Sequence, residues 1–266
     1  MTDEAPLPIS AFFITRNEAD RIGRAIAAVS GLVSEIVVVD SGSSDETRDI
    51  AARMGARVIE RDWPGYGPQK RFAEQQCAGP WLLNLDADEV AAPDFTAELR
   101  RVFAAGEPAF AAYRTPIAEV FPGEAAPHRF AFALAPVRLY RKDAGRYSDS
   151  LVHDRVDLAP GVEIGRMTAR IHHFSVRSLA EQVEKFNAYT DLQVEDLARR
   201  GKRIPAARLL VEFPLTFLKV YVLRRHFLRG WYGIATATNV AFGRHLRLAK
   251  HIERRRVEEL AARSGD

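Results

Sequence analysis

An α/β fold centred on a parallel sheet is predicted, and three observations predict it. Short apolar runs alternate with helix-like segments four times between Ile9 and Leu85, the pattern of a right-handed α/β sheet. Two of those runs, Glu35-Ile36-Val37-Val38-Val39-Asp40 and Trp81-Leu82-Leu83-Asn84-Leu85-Asp86, are apolar without alternation, as strands covered on both faces are. Both end on a carboxylate, and ligands of open α/β sheets bind beyond the carboxyl ends of the strands. A chain of 266 residues can bury one large core and carry an appendage.

Ile9 to Thr15 is the first expected strand, and Glu18 to Val29 an amphipathic helix with apolar positions at Ile22, Ile26 and Val29. The strand Glu35 to Asp40 leads into the turn Ser41-Gly42-Ser43-Ser44-Asp45. Ser44 with Thr47 can open the next helix, which runs through Met54. Arg57 to Glu60 is a third strand. A loop bearing Pro64, Gly65, Gly67 and Pro68 precedes a helix around Lys70 to Cys77, and the Trp81 strand follows. Pro93 begins the helix after it. Ala109 to Ala118 and Val137 to Arg141 read as strands flanking the Gly/Pro/Ala-rich loop Phe121 to Pro136. Met167 to Ile171 alternates like a strand and is followed by His172 and His173, whose side chains should point to opposite faces. Ser178, with Glu181 three residues on, opens a helix reaching Arg200.

The net charge of +3 conceals an asymmetry. Residues 199–266 hold 16 Lys/Arg against 5 Asp/Glu, leaving 22 against 30 in residues 1–198. An acidic body with a basic end points to a polyanionic partner for that end. It also marks a boundary near Arg199-Arg200-Gly201-Lys202-Arg203, giving domains 1–200 and 201–266. Pro205 to Arg256 reads as helices broken near Pro214 and Gly230, with an apolar band from Leu209 to Leu223, arginines around it, and Trp231 and Tyr232 between. Basic amphipathic helices of this kind suit in-plane attachment to an anionic membrane surface; the alternative is a helical subdomain packed on the core with its arginines solvated. No recognised nucleic-acid motif accompanies the charge, so nucleic acid is not expected. No run reaches the roughly eighteen apolar residues of a spanning helix. The single cysteine, Cys77, suits a reducing compartment, and Met1 to Pro8 lacks the parts of a secretory leader. The expected location is cytoplasmic, peripheral at the inner face of the cytoplasmic membrane.

Chemistry-bearing residues collect at the expected strand ends: Thr15, Asn17 and Glu18; Asp40; Gly67 and Lys70; then Asp86 and Asp88. An Asp-x-Asp after a buried strand offers hard oxygen ligands to a divalent cation; the bland alternative is a solvated acidic turn. Asp40 can accept hydrogen bonds from a base or ribose, or else cap the turn that follows it. Lys70 can pair with a phosphate or be an exposed helix lysine. Neither a dinucleotide fingerprint nor a P-loop is present.

These stretches resemble glycosyltransferase family 2. Ala11-Phe12-Phe13-Ile14-Thr15-Arg16-Asn17-Glu18 is similar to its first-strand motif, Val37 to Thr47 to its second, and Leu85-Asp86-Ala87-Asp88-Glu89 to its metal motif. With Gly65-Tyr66-Gly67-Pro68-Gln69-Lys70 they resemble the subgroup containing lipopolysaccharide core β-glucosyltransferases, over roughly residues 8–190. The resemblance implies a GT-A fold, a Rossmann-like mixed sheet here followed by a basic helical extension, that binds a nucleoside-diphosphate sugar with Mg²⁺ or Mn²⁺. By motif position Thr15, Asn17 and Glu18 line the nucleotide pocket, Asp40 holds the base, and Lys70 lies near the pyrophosphate. Asp86 reaches the ribose or the cation, and Asp88 ligates the metal directly.

In Leu151-Val152-His153-Asp154-Arg155-Val156 the family's usual His-Glu pair is His153-Asp154. The acid is implied as the general base that deprotonates an acceptor hydroxyl, with a reach one methylene shorter; the alternative is a surface acid at a strand end. His173 matches the family better than His172 and is implied at the metal or diphosphate, although a histidine beside an aromatic also serves as a packed core residue. Lys185, Asn187 and Tyr189 either close the acceptor side or pack their helix. The expected activity is inverting, metal-dependent transfer of a sugar, UDP-glucose being the implied donor, to a lipid-linked or lipopolysaccharide core acceptor. Two other readings stay open: a phosphohydrolase using the His153-Asp154 and His172-His173 pairs, and a non-catalytic nucleotide-binding membrane adaptor.

Overall fold

The computed structural model describes residues 4–151 and 154–264. Thirteen strands and seven α-helices occur among them. In chain order they begin β1 (Leu7–Thr15), α1 (Ile22–Ala27), β2 (Val33–Asp40), α2 (Thr47–Arg53), β3 (Arg57–Glu60), α3 (Tyr66–Gln76), β4 (Trp81–Asn84), β5 (Glu89–Ala91) and α4 (Pro93–Phe103). The strands β6 (Ala112–Arg114), β7 (Ile117–Glu119), β8 (Ala133–Leu134), β9 (Val137–Arg141), β10 (Gly145–Tyr147), β11 (Val156–Leu158), β12 (Ile164–Arg166) and β13 (Ile171–His173) follow. The helices α5 (Leu179–Arg199), α6 (Arg208–Leu218) and α7 (Gly230–Ser264) close the chain.

The main sheet has the order β12-β6-β9-β4-β1-β2-β3. β3, β2, β1 and β4 are mutually parallel, as the alternation predicts. β9 then enters antiparallel to both β4 and β6, so the sheet is mixed, and β6 runs in the same direction as β4. Alternation along β1 divides the core between the two faces. Ile9, Ala11 and Phe13 pack with Ile22, Ile26, Phe95 and Leu99 on one side; Phe12, Val37 and Val39 pack with Ala73, Tyr140 and Tyr147 on the other. The expected strand from Ala109 to Ala118 is two, because Pro116 supplies no N–H and the chain leaves the main sheet there. Its second half, β7, joins a smaller sheet of order β5-β13-β7-β8.

The described chain forms two compact units. The first comprises residues up to Val120, Glu124–Pro127 and Ala133–Ser175; the second comprises Phe121–Gly123, His128–Phe132 and everything from Val176. The expected boundary at residue 200 therefore falls inside the second unit, because α5 packs along α7 through bonds that composition does not show. The Lys250 ammonium donates to the carbonyl and Oδ1 of Asn187 (3.0 and 2.9 Å) and to Asp191 (2.6 Å). Ser178 caps α5 as expected, accepting from the Glu181 N–H at 3.1 Å. Pro214 does not break its helix, since α6 continues through it to Leu218; the other expected break, near Gly230, is where α7 begins.

Candidate active site

The carboxyl ends of β1 and β2 are tied into one rigid corner. Asp40 is wholly buried; it accepts from Thr15 Oγ1 (2.9 Å), the Ser43 N–H (2.7 Å) and Ser43 Oγ (2.5 Å). Its side chain thus caps the turn after β2, the alternative that its position left open. Asn17, at a φ of 55°, takes the left-handed conformation that asparagine tolerates. Its N–H donates to Ser43 Oγ at 2.8 Å and its Oδ1 accepts from the Ser44 N–H at 2.9 Å. The Glu18 N–H donates to Thr47 Oγ1 at 2.7 Å, and the Glu18 carboxylate pairs with Arg21 at 2.5 Å. Thr15, Asn17, Glu18 and Asp40 are therefore together, as a stitched rim.

Beyond β4 lies a charged cluster. Lys70, 1% exposed, is held between Asp86 Oδ1 at 2.7 Å and the Asp154 carboxylate. It is neither an exposed helix lysine nor a solvated phosphate hook. What brings it to Asp154 is Gly67. The first turn of α3 presses on the segment between β10 and β11, with the Tyr66 and Gly67 N–H groups donating to the carbonyls of Leu151 (3.1 Å) and Ser150 (3.0 Å). A Cβ at Gly67 would sit 2.2 Å from the Ser148 carbonyl oxygen, so only glycine permits this approach. Arg138, on β9, is buried against Asp86 Oδ2 (3.0 Å), Glu89 Oε1 (2.6 Å) and Asn84, whose oxygen also accepts from the Tyr147 hydroxyl at 2.7 Å. Glu89 returns to the Asp86 N–H at 3.0 Å and closes the turn.

Burial opposes every charge in this cluster, and pairing decides the outcome group by group. For Asp86, Lys70 and Arg138 together outweigh burial and hold its carboxyl far below the usual range. For Lys70, burial is outweighed by Asp86 and Asp154, so its ammonium holds its proton more tightly than a free lysine. For Glu89, burial wins over Arg138 and its carboxyl is pushed up. With all groups ionised, two cations face three carboxylates, leaving the cluster negative.

The second Asp of the triplet faces elsewhere. β13 pairs with β5 and β7 so that His173 lies opposite both Glu89 and Glu119. His173 Nε2 then comes within 3.3 Å of Asp88 Oδ1, while Arg21 stands 3.6 Å from the other oxygen. Burial pulls the imidazole down, but the hydrogen bond and charge of Asp88 raise it to about 9. His172 points to the opposite face, where burial lowers it. The two histidines cannot share a metal, which removes the paired-metal arrangement of the phosphohydrolase alternative; His153 lies outside the described residues. Asp86, expected as a further metal ligand, is turned onto Lys70 and Arg138. Among the described residues no three His, Cys, Asp or Glu side chains form a cage by themselves. Asp88 and His173 fit a divalent cation of the kind held by one or two protein groups plus phosphate oxygens and water once the imidazole gives up the proton it shares with Asp88, since one oxygen and one nitrogen already converge.

Sequence reasoning missed Arg138, Glu89, Tyr147 and Arg21. The one available signal was an arginine in the apolar strand Val137-Arg138-Leu139-Tyr140, since a charge there needs a buried counter-charge. Asn187, considered for the acceptor side, is occupied between α5 and α7.

Residues 10–160 match the family described as Glycosyl transferase family 2. An "uncharacterized glycosyltransferase" of Rickettsia felis is 38% identical over 91% of this chain and 88% of its own length. "Lipopolysaccharide core biosynthesis glycosyltransferase LpsC" of Rhizobium meliloti is 31% identical over 93% of both chains. A crystal structure of glucosyl-3-phosphoglycerate synthase from Mycobacterium tuberculosis with Mn²⁺, UDP and glucosyl-3-phosphoglycerate is 19% identical, spans 74% of this chain and 81% of its own, and superposes with a TM-score of 0.46.

Proposed function

Because the chain belongs to glycosyl transferase family 2 and is a glycosyltransferase, we propose that it moves glucose from UDP-glucose to a lipopolysaccharide core or other lipid-linked acceptor, with inversion. The observation that carries this reading is the pair of adjoining charged groups at the carboxyl end of β4: Asp86 with Lys70 and Asp154, and Asp88 with His173. The stitched corner of Thr15, Asn17, Glu18 and Asp40 is a rigid wall for the nucleotide, with Asp40 acting through the turn it caps. Asp88 and His173 would hold Mg²⁺ or Mn²⁺, which supplies charge neutralisation for the departing diphosphate. Asp154, ion-paired with Lys70, is placed to take the proton of the acceptor hydroxyl as it attacks the anomeric carbon. Lys70 keeps that acid in place from the side of α3. The similarity to LpsC over nearly the whole chain supports the acceptor class.

The test is transfer from UDP-, GDP- and dTDP-sugars to core acceptors with Mn²⁺ or Mg²⁺, the product's anomeric configuration being read by NMR. Asp154→Asn should lower kcat about 10²–10⁴-fold, the usual worth of a general base, with donor KM little changed. Wild-type turnover in that variant would remove Asp154 from the mechanism. Asp88→Ala should abolish metal-dependent UDP binding.

Membrane attachment of the second unit belongs to the same proposal. No described helix is long and apolar enough to cross a bilayer. However, α6 buries none of its residues, leaving Leu210 81% exposed with Leu215 and Leu218 beside it, and Trp231 is 73% exposed. Arg224, Arg225 and Arg229 lie over the rings of Phe132, Phe130 and Phe121 at the same end. Exposed apolar side chains in an arginine-rich segment support in-plane binding to an anionic leaflet.

A further inference from the structure

Arg114 and Arg166 are direct register partners in the parallel pair β6–β12. Register partners project to the same side of a sheet from strands about 4.8 Å apart, so two like charges are held side by side, an unfavourable arrangement by itself. Arg114 donates one N–H to the Ala135 carbonyl at 3.1 Å, which fixes its guanidinium and leaves its other donors available. Among the described residues neither arginine has a carboxylate partner, unlike Lys70 and Arg138. Together with Pro116, Ala135 and Met167 they line a pocket of 430 Å³. Its chemistry, two guanidiniums over an apolar floor, is that of a site for an oxyanion attached to a larger body.

The topology says which body. Since β6 runs in the direction of β4, Arg114 ends its strand at the same sheet edge as Asp86. Two strand spacings separate β6 from β4 and three separate β12, roughly 10 and 14 Å. We infer that Arg114 and Arg166 form a subsite for an oxyanion, phosphate or carboxylate, carried by the sugar acceptor, so that the enzyme selects acidic acceptors. This inference rests on the glycosyl-transfer reading above, and no part of the nucleotide wall contributes to the pocket.

Isothermal titration of the full chain with inorganic phosphate, and in a second arm with malonate, tests it under saturating UDP and Mn²⁺ to occupy the donor side. The expected result is one oxyanion bound per chain, with affinity reduced at least tenfold in Arg114→Gln/Arg166→Gln and UDP affinity within twofold of wild type. The stronger arm identifies the phosphate or the carboxylate as the preferred group. Oxyanion binding undiminished in the double variant, or absent from the wild type, overturns the inference. Loss of UDP binding by the wild type would instead strike the donor reading, leaving the arginine result separately legible. Should the double variant not fold, Arg166→Gln alone, at an exposed position, gives the same reading.

Discussion

Arg138 is the residue on which the cluster behind the Asp-x-Asp turn depends for its charge balance, and Arg138→Leu measures that dependence. Its guanidinium is buried against Asn84, Asp86 and Glu89, and Glu89 is itself 1% exposed. Leucine keeps the apolar bulk but leaves the Glu89 carboxylate with the Asp86 N–H and no cation. Breaking a buried pair from one side costs about 3–5 kcal/mol, which for a unit of this size lowers Tm by roughly 6–20 °C. The cost should depend on pH, with a definite sign. Burial already lifts the Glu89 carboxyl above its ordinary value, and removing Arg138 lifts it further. A carboxyl whose folded pKa is raised favours the fold while protonated and penalises it as pH rises through that value. The destabilisation should therefore be smaller at pH 5 than at pH 8. Urea titrations of wild type, Arg138→Leu, Glu89→Leu and the double variant close a cycle, in which the double should recover about 1–3 kcal/mol relative to additivity. Additive penalties, or an Arg138→Leu loss below about 1 kcal/mol at pH 8, would refute the claim that these charges hold one another in the fold.

Three further outcomes follow from separate features. Gly67→Ala should cost about 1–3 kcal/mol through the clash with the Ser148 and Ser150 carbonyls and should reduce transfer more than donor binding, because it displaces Asp154 from Lys70; melting curves and the split between kcat and donor KM check it. Cys77 is buried with its thiol pushed up to about 12, so Ellman's reagent at pH 8 should leave the folded protein unlabelled and react fully in urea. Leu215→Glu combined with Trp231→Ala should cut co-flotation with phosphatidylglycerol vesicles at least tenfold while UDP binding is retained; equal flotation with purely zwitterionic vesicles would contradict the electrostatic part of the attachment.

What the sequence made legible was what local pattern controls. The strands β1, β2 and β4 announce themselves as apolar runs, and β2 ends on the carboxylate, Asp40, that its pattern marks. Ser178 and Glu181 mark the start of α5 because capping is decided within a few residues. Features set by distant contacts were not legible. The register of β13 against β5 sets His173 beside Asp88, and nothing within Ile171-His172-His173 states that register; only the family resemblance favoured His173. Gly67 looks like an ordinary loop glycine until the Ser148–Leu151 segment is laid against it. The second unit begins near Val176 rather than at residue 200 because Lys250 reaches back to Asn187 and Asp191, whereas the charge step at Arg199 follows exposure and not packing. Pro214 failed as a helix breaker because it lies on the exposed face of α6, where the loss of one backbone hydrogen bond is made good by solvent.

Asp154 shows how these two kinds of information combine. The family pattern expects a longer acid there, and a missing methylene would by itself withdraw the carboxylate from an acceptor hydroxyl. In the fold, the backbone leading to Asp154 is held against α3 by the contact at Gly67. Lys70 then fixes the shorter acid from the opposite side while its remaining bond holds Asp86. One buried ammonium thus ties together two acids, Asp154, proposed for the acceptor side, and Asp86 beside the proposed metal. Changes at either carboxylate should be felt at the other, so Asp86 and Asp154 variants should prove non-additive in transfer even though they come from segments far apart in the chain.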